Sequence, residues 1–133
     1  MRQIYDLVLY HLEEKHVYLN KQLDLKTFSK LLCTNTTYLS YVINQRFGRN
    51  LKTLINEYRV EHAKQLLRSS HLSINDIGKL CGFTSRSTFY LTFKKIEQQT
   101  PCDYRRQQIN RNKITYAESL RELNNIATKK TAL

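Results

Sequence analysis

SINDIGKLCGFTSRSTFYLTFKK, residues 73–95, decides the reading of this chain. Ser73 opens a short helix, and Asp76 three residues on approaches a capping box with Asp in place of Glu. Ile74, Ile77, Leu80 and Cys81 fall at helical spacing and are expected to face inward. Gly82-Phe83 makes a turn. Residues 85–96 then form a second helix with Phe89, Phe93 and Ile96 inward. The same pattern stands upstream. DLKTFSKLLC at 24–33 predicts a short helix with Leu25, Phe28, Leu31 and Leu32 inward, and Thr34-Asn35 breaks it. Residues 36–46 predict another, with Leu39, Val42 and Ile43 apolar and Gly48 as its C-terminal stop.

The two copies align as a repeat. Leu25-x-x-Phe28-Ser29-x-x-Leu32 matches Ile74-x-x-Ile77-Gly78-x-x-Cys81 at an offset of 49, and Leu39-x-x-x-Ile43 matches Phe89-x-x-x-Phe93 at 50. The second turn is therefore one residue longer. Ser29 and Gly78 are small and sit mid-helix. A glycine there costs about 1 kcal/mol of helix propensity, so it needs a packing reason. Two helices crossing closely at a steep angle supply one, and that is helix-turn-helix geometry. Two ordinary helical hairpins would show the same repeat, whereas two copies are too few for a solenoid.

Between the copies, Asn50 is expected to cap a helix running to about Arg68. Leu51, Leu54, Ile55, Tyr58, Ala63, Leu66 and Leu67 recur along it, and its length is about 28 Å at 1.5 Å per residue. Residues 1–15 read as an amphipathic helix carrying Ile4, Tyr5, Val8, Leu9 and Leu12. Thr100-Pro101 starts a further helix with Tyr104 inward. After residue 110 the chain turns polar. A separate weak helix is expected over 115–127 (Tyr116, Leu120, Leu123, and Ile126 or Ala127), with the last residues frayed. The expected organisation is all-α: an N-terminal helix in 1–20, a first helix-turn-helix unit in 21–49, a linking helix in 50–69, a second unit in 70–108 and a polar tail in 109–133. That makes about seven core helices with terminal extensions.

Composition narrows the function. The chain has 133 residues, 22 Lys+Arg against 11 Asp+Glu and a formal net charge of +11. Three Gly and one Pro are too few for the turns of a sandwich or barrel, or for a glycine-rich phosphate loop. A hydrophobic content of 41% supports a core. A pI near 9.7 favours a polyanionic partner, nucleic acid first and anionic membrane second. No run approaches the ~18 apolar residues of a membrane span, and no cleavage site follows the N-terminal apolar stretch. Cys33, Cys81 and Cys102 lack ligand or disulfide spacing and suit a reducing cytosol and small core positions. His11 and His16 are five apart, and His62 and His71 are isolated. No nucleophile, base or carboxylate pair recurs in one place, so neither catalysis, a cofactor nor a metal is expected.

A linker of about 28 Å can hold two insertion helices near the ~34 Å repeat of the major groove along one face of B-DNA. The residues also carry a resemblance. YLS at 38–40, INEYRVEHAKQLL at 55–67, SINDIGKLCGF at 73–83, STFYLTFKK at 87–95 and TPCDYR at 100–105 make the stretch from Asp24 to Arg105, roughly three-fifths of the chain, similar to the AraC/XylS-type DNA-binding domain. The second half, I-x-x-I-small-x-x-x-GF-x-S-x-S-x-F-x-x-x-FKK followed by TPxxYR, is the more specific part. The resemblance implies seven helices, two helix-turn-helix units on one long helix, and transcription regulators that are mostly activators.

With Leu39 and Ile43 inward, the opposite face of the first recognition helix carries Thr36, Thr37, Ser40, Tyr41 and Asn44. With Phe89 and Phe93 inward, the second leaves Arg86, Ser87, Tyr90, Leu91 and Lys94 outward, with Thr88 near its start and Lys95 beside Lys94. These match the family's base- and phosphate-reading positions. Arg86 suits a guanine edge or a phosphate, Asn44 an adenine, Leu91 a thymine methyl, and Lys94 and Lys95 phosphates. For Tyr41 and Tyr90 partial packing is the alternative. Arg46, Arg49, Lys52, Arg105, Arg106, Arg111 and Lys113 stand at helix ends or loops, where some should lie beside the phosphate backbone. Arg59 is expected to pair with Glu57, Glu61 or Asp76. Leu91 and Tyr41 stand where the family is often basic, Gln98 where it has glycine before TP, and Gly78 where it has alanine.

The expectation is sequence-specific binding of double-stranded DNA in transcription regulation, in the cytoplasm. RNA polymerase and a sensor or dimerisation domain on a longer chain are the further candidate partners. About 23 residues precede the repeat, which suits either a stand-alone monomeric regulator or an output domain. A basic helical module binding RNA or an acidic protein is the alternative.

Overall fold

A computed structural model describes residues 1–131, with side chains through Ile126. Among them the order is α1 (Arg2–Glu13), a single 3-10 turn (Val17–Leu19), α2 (Leu25–Leu31), α3 (Thr36–Phe47), α4 (Leu51–Ser69), α5 (Ile74–Leu80), α6 (Arg86–Glu97) and α7 (Pro101–Thr131). No strand occurs among these residues, and the all-α expectation holds.

The repeat extends to the hydrogen bonds that start and stop the helices. Asp24 Oδ1 accepts from Thr27 N–H at 2.8 Å, and Ser73 Oγ, 49 residues on, accepts from Asp76 N–H at 3.1 Å. Asn35 and Ser85 cap α3 and α6 in the same way, through Tyr38 N–H at 2.8 Å and Thr88 N–H at 3.1 Å. Asn50 caps α4 through Thr53 N–H at 2.9 Å, and Thr100 receives Asp103 N–H at 3.1 Å at the start of α7. Each cap satisfies a backbone donor that the first turn leaves without a partner. The stops repeat as well. Thr34 N–H reaches Ser29 C=O at 2.9 Å, and Phe83 N–H reaches Gly78 C=O at 3.1 Å. The residues at these turns, Cys33 (φ 55°) and Gly82 (φ 97°), are left-handed, as are Gly48 (φ 70°) and Gln98 (φ 65°) at the ends of α3 and α6. At 82 glycine is required twice over, because a Cβ would lie 2.7 Å from the Tyr18 carbonyl oxygen.

α4 carries two cores. Leu51, Leu54 and Ile55 on its first half close over Phe28, Leu32, Leu39 and Ile43. Val60, Ala63 and Leu67 on its second half pack with Ile77, Cys81, Phe83, Phe89, Phe93 and Tyr104. The first core also takes Val8 and Leu12 from the expected apolar stripe of α1, and Tyr18 of the 3-10 turn, which the sequence pattern did not reveal. Arg59 sits between the cores, 9% exposed. It forms no carboxylate pair among the described residues. Its Nε donates to Tyr18 C=O at 2.6 Å and its Nη2 to Asn20 C=O at 2.8 Å, so it ties the N-terminal segment to α4. Arg105 acts similarly at the other end, donating to the carbonyls of Leu67, Ser70 and Leu72 at 3.2, 3.3 and 2.7 Å.

Other expectations are corrected. Leu31 and Leu80 face solvent, at equivalent positions of α2 and α5. On a two-turn helix each lies roughly 100° from the apolar stripe, and Ser29 and Gly78 take the inward place instead. Of the three cysteines only Cys81 is in a core. Burial pushes its thiol up to about 12, so it packs protonated, as a small apolar group. No separate helix forms over 115–127. α7 runs unbroken from Pro101, since neither Pro nor Gly interrupts it. Ile109, Tyr116, Leu120, Leu123 and Ile126 on it are exposed. The Ala127 side chain and the final residues, where fraying was expected, lie outside the described residues.

Candidate nucleic-acid interface

Burying Leu39, Val42 and Ile43 turns the opposite face of α3 outward. Thr36, Thr37, Tyr41 and Asn44 are exposed there, and Ser40 is half-buried. Asn44 is oriented by its own helix, its amide donating to Ser40 C=O at 2.8 Å. On α6, Phe89 and Phe93 are fully buried, and Arg86, Ser87, Thr88, Leu91, Lys94 and Lys95 are exposed. Leu91 is 71% exposed, the most of any large apolar residue among those described. Tyr90 is half-buried against the second core, with the Arg86 guanidinium 5.2 Å from its ring centre. Tyr90 is thus partly packed and partly open to solvent, and Tyr41 is half-exposed. The Thr88 hydroxyl accepts from Ser85 Oγ at 2.9 Å, which fixes it beside the cap.

The structure divides the basic residues by what already holds them. Arg49 pairs with Glu57 at 2.7 Å, Arg106 with Asp103 at 3.4 Å, and Lys64 with Glu97 at 3.1 Å. Arg46 lies 5.1 Å from the Tyr5 ring centre. Arg105 is committed to carbonyls. Among the described residues, Lys52, Arg86, Lys94 and Lys95 have no ion pair within the chain, so their charge is available to an external anion. Sequence reasoning did not single out Thr92, Asn56 or Thr84. With Ser40, Thr88 and Lys52 they line a cleft of about 730 Å3 between the two units, bordered also by Leu23, Asp24 and Leu25. Their signal was weak, because short polar side chains at helix edges resemble any solvated face.

The arrangement is two equivalent helices, each braced by a shorter one, outward faces polar and basic, held on one α4. A family model described as a helix-turn-helix domain matches residues 28–107. The chain belongs to the AraC/XylS-type helix-turn-helix family. Among its AraC-type relatives is the xylose operon regulatory protein of Escherichia coli strain K12, 39% identical over 61 residues. That match covers 46% of this chain and 16% of the relative, so the chain spans a small part of that protein's length. Among solved AraC-type structures, the C-terminal domain of AraT, a response regulator from Geobacillus stearothermophilus, is 27% identical with a TM-score of 0.72, covering 80% of this chain and 86% of that one. The DNA-binding domain of AdpA, a global transcriptional factor solved with a target DNA, shares the fold at a TM-score of 0.73 and 21% identity, over 82% of this chain and 95% of that one. No helix among the described residues is long and apolar enough to cross a membrane.

Proposed function

We propose that this chain binds double-stranded DNA sequence-specifically and works in transcription regulation in the cytoplasm, inserting α3 and α6 into successive major grooves. The observation that carries this reading is the cap-for-cap equivalence of the two units on one 19-residue α4 that contributes to both cores. It presents two like faces from one rigid body, as tandem groove readers require. The AdpA domain, solved on its target DNA, has the same fold. Family membership favours activation as the sense of regulation.

Thr36, Thr37, Ser40, Tyr41 and Asn44 read the first block. Arg86, Ser87, Thr88, Tyr90 and Leu91 read the second. Lys94 and Lys95 hold phosphates. The chemistry follows from the groups: Arg86 offers a fork for a guanine edge and Leu91 an apolar surface for a thymine methyl. RNA polymerase and a sensor or dimerisation region are proposed as further partners, since the matched part of the xylose regulator is a minor share of that protein. No catalytic step is assigned.

Selection from a random duplex pool of ~30 base pairs at near-physiological salt tests the reading. Two short enriched blocks about ten base pairs apart support it. Steeply salt-dependent binding to every duplex without enrichment overturns it, and tighter binding to RNA in competition replaces it with the basic-module alternative. An asymmetric pair of blocks reports a monomer and a palindrome a dimer.

A further inference from the structure

This inference deepens the DNA-binding reading and rests on it. The cleft between the two units is floored by the first half of α4, through Leu51 and Ile55, with Leu25 at the start of α2 and Ser40 of α3 on one wall and Thr88 and Thr92 of α6 on the other. Lys52 is among the lining residues, exposed and with no carboxylate partner among the described residues. Arg59 also reaches the cleft, but its guanidinium is committed to the Tyr18 and Asn20 carbonyls. Asp24 is the one acidic residue in the lining. Its carboxylate is turned onto the first turn of α2, where the N–H and hydroxyl of Thr27 hold it at 2.8 and 2.9 Å. Lys52 is therefore the cation this cleft has to offer.

Ser40 and Thr88 belong both to the outward faces of their helices and to the walls of the cleft. The cleft therefore opens on the side the two helices present. Two helices that enter successive major grooves from one side leave the intervening minor groove between them, facing the protein. We propose that the minor groove of the central spacer lies over this cleft and that Lys52 reads its width, which gives a preference for an A·T-rich spacer. Two physical facts support the choice of occupant. A narrow A·T minor groove has an enhanced negative potential that attracts an inserted cation. A G·C pair adds the guanine N2 amino group to the groove floor, which places a donor where the ammonium would approach.

The test holds both selected blocks fixed and changes only the spacer. Four duplexes are compared by Kd with the full chain: A·T, G·C, inosine·C and diaminopurine·T spacers. Inosine lacks the N2 amino group and diaminopurine adds it, while the major-groove edges stay those of G·C and A·T. The expected result groups inosine·C with A·T, and diaminopurine·T with G·C, the second pair weaker by about fivefold or more. In Lys52→Gln the gap should shrink toward unity while the selected blocks stay the same. Lys52 is exposed at a capped helix start, so the variant keeps the fold. Equal affinity for all four spacers, or a gap unchanged in Lys52→Gln, overturns the inference and leaves the major-groove reading intact. Failure of the two blocks to enrich at all is the separate failure of that reading.

Discussion

A Cβ placed on Gly78 would lie 2.6 Å from Cδ2 of Phe89 and 2.9 Å from its Cγ. Phe89 has nowhere to retreat: it is fully buried, with Phe83 at 5.0 Å and Phe93 at 5.9 Å between ring centres. The absence of one methyl group lets α5 and α6 approach this closely. Gly78→Ala gains about 1 kcal/mol of helix propensity, while overpacking a filled core costs typically 1–3 kcal/mol. The net expectation is a loss of about 1 kcal/mol, read as a lower urea midpoint with an unchanged slope. A more stable variant would show that Phe89 can move.

Gln98 presents the opposite case. It ends α6 at φ 65°, the place Gly48 takes at the end of α3. A left-handed residue with a Cβ costs about 1–2 kcal/mol, and its one side-chain bond, to Lys95 C=O at 3.0 Å, is exposed. Glycine loses more entropy on folding, so Gln98→Gly should stabilise by only about 0.5–1 kcal/mol. Thermal unfolding should show a rise of a few degrees.

Replacing Arg59 should be far more damaging. Arg59→Met keeps most of the apolar stem but leaves the Tyr18 and Asn20 carbonyls without their donor, at about 2–4 kcal/mol in total. Arg59→Lys should recover little, because a point ammonium cannot serve two carbonyls set to a guanidinium fork. Denaturant titration of the three proteins separates these outcomes.

His62 makes stability fall with acid. Burial, and secondly the neighbouring His16, holds its pKa below the ordinary 6.5. Tyr18 Oη lies 3.3 Å from its Nδ1. The folded protein therefore binds the proton less readily than the unfolded chain. Its contribution is complete above about pH 6.5 and is lost as pH drops through that value toward the folded pKa. His62→Gln should flatten stability against pH in this window, and an unchanged slope would assign the effect to another group.

For recognition, Arg86→Ala should weaken binding to the selected site by about 1–3 kcal/mol and relax one base position. Equal losses on every duplex, with a salt slope reduced by about 0.9, would make Arg86 a phosphate contact instead.

Much of this architecture was legible in the sequence, because a repeat is self-consistent. Phe28 against Ile77 and Leu39 against Phe89 support one repeat, and Asn50 and Thr100 mark where the helices after each unit begin. The outward faces of α3 and α6 followed once Leu39, Ile43, Phe89 and Phe93 were placed inside. What was not legible lies off the periodic pattern. A guanidinium bound to backbone carbonyls leaves no trace in side-chain types, so Arg59 and Arg105 were read as ion-pair or phosphate candidates. The 3-10 turn at Val17–Leu19 is too short to have a period. Short helices mislead because two turns hold too few positions to fix the stripe, as Leu31 and Leu80 show. The cleft depends on the separation of two units, which no local pattern encodes.

The continuity of α4 as one helix has an arithmetic consequence. One residue added to an α-helix advances its far end by about 1.5 Å and turns it by about 100°. One base pair added to B-DNA advances the next groove by about 3.4 Å and turns it by roughly a tenth of a revolution. The two screws share no small common step, so a lengthened protein cannot be matched by a lengthened site. On the proposed reading, divergence in this family member is confined to which bases are read at each end, while the gauge between the ends stays fixed.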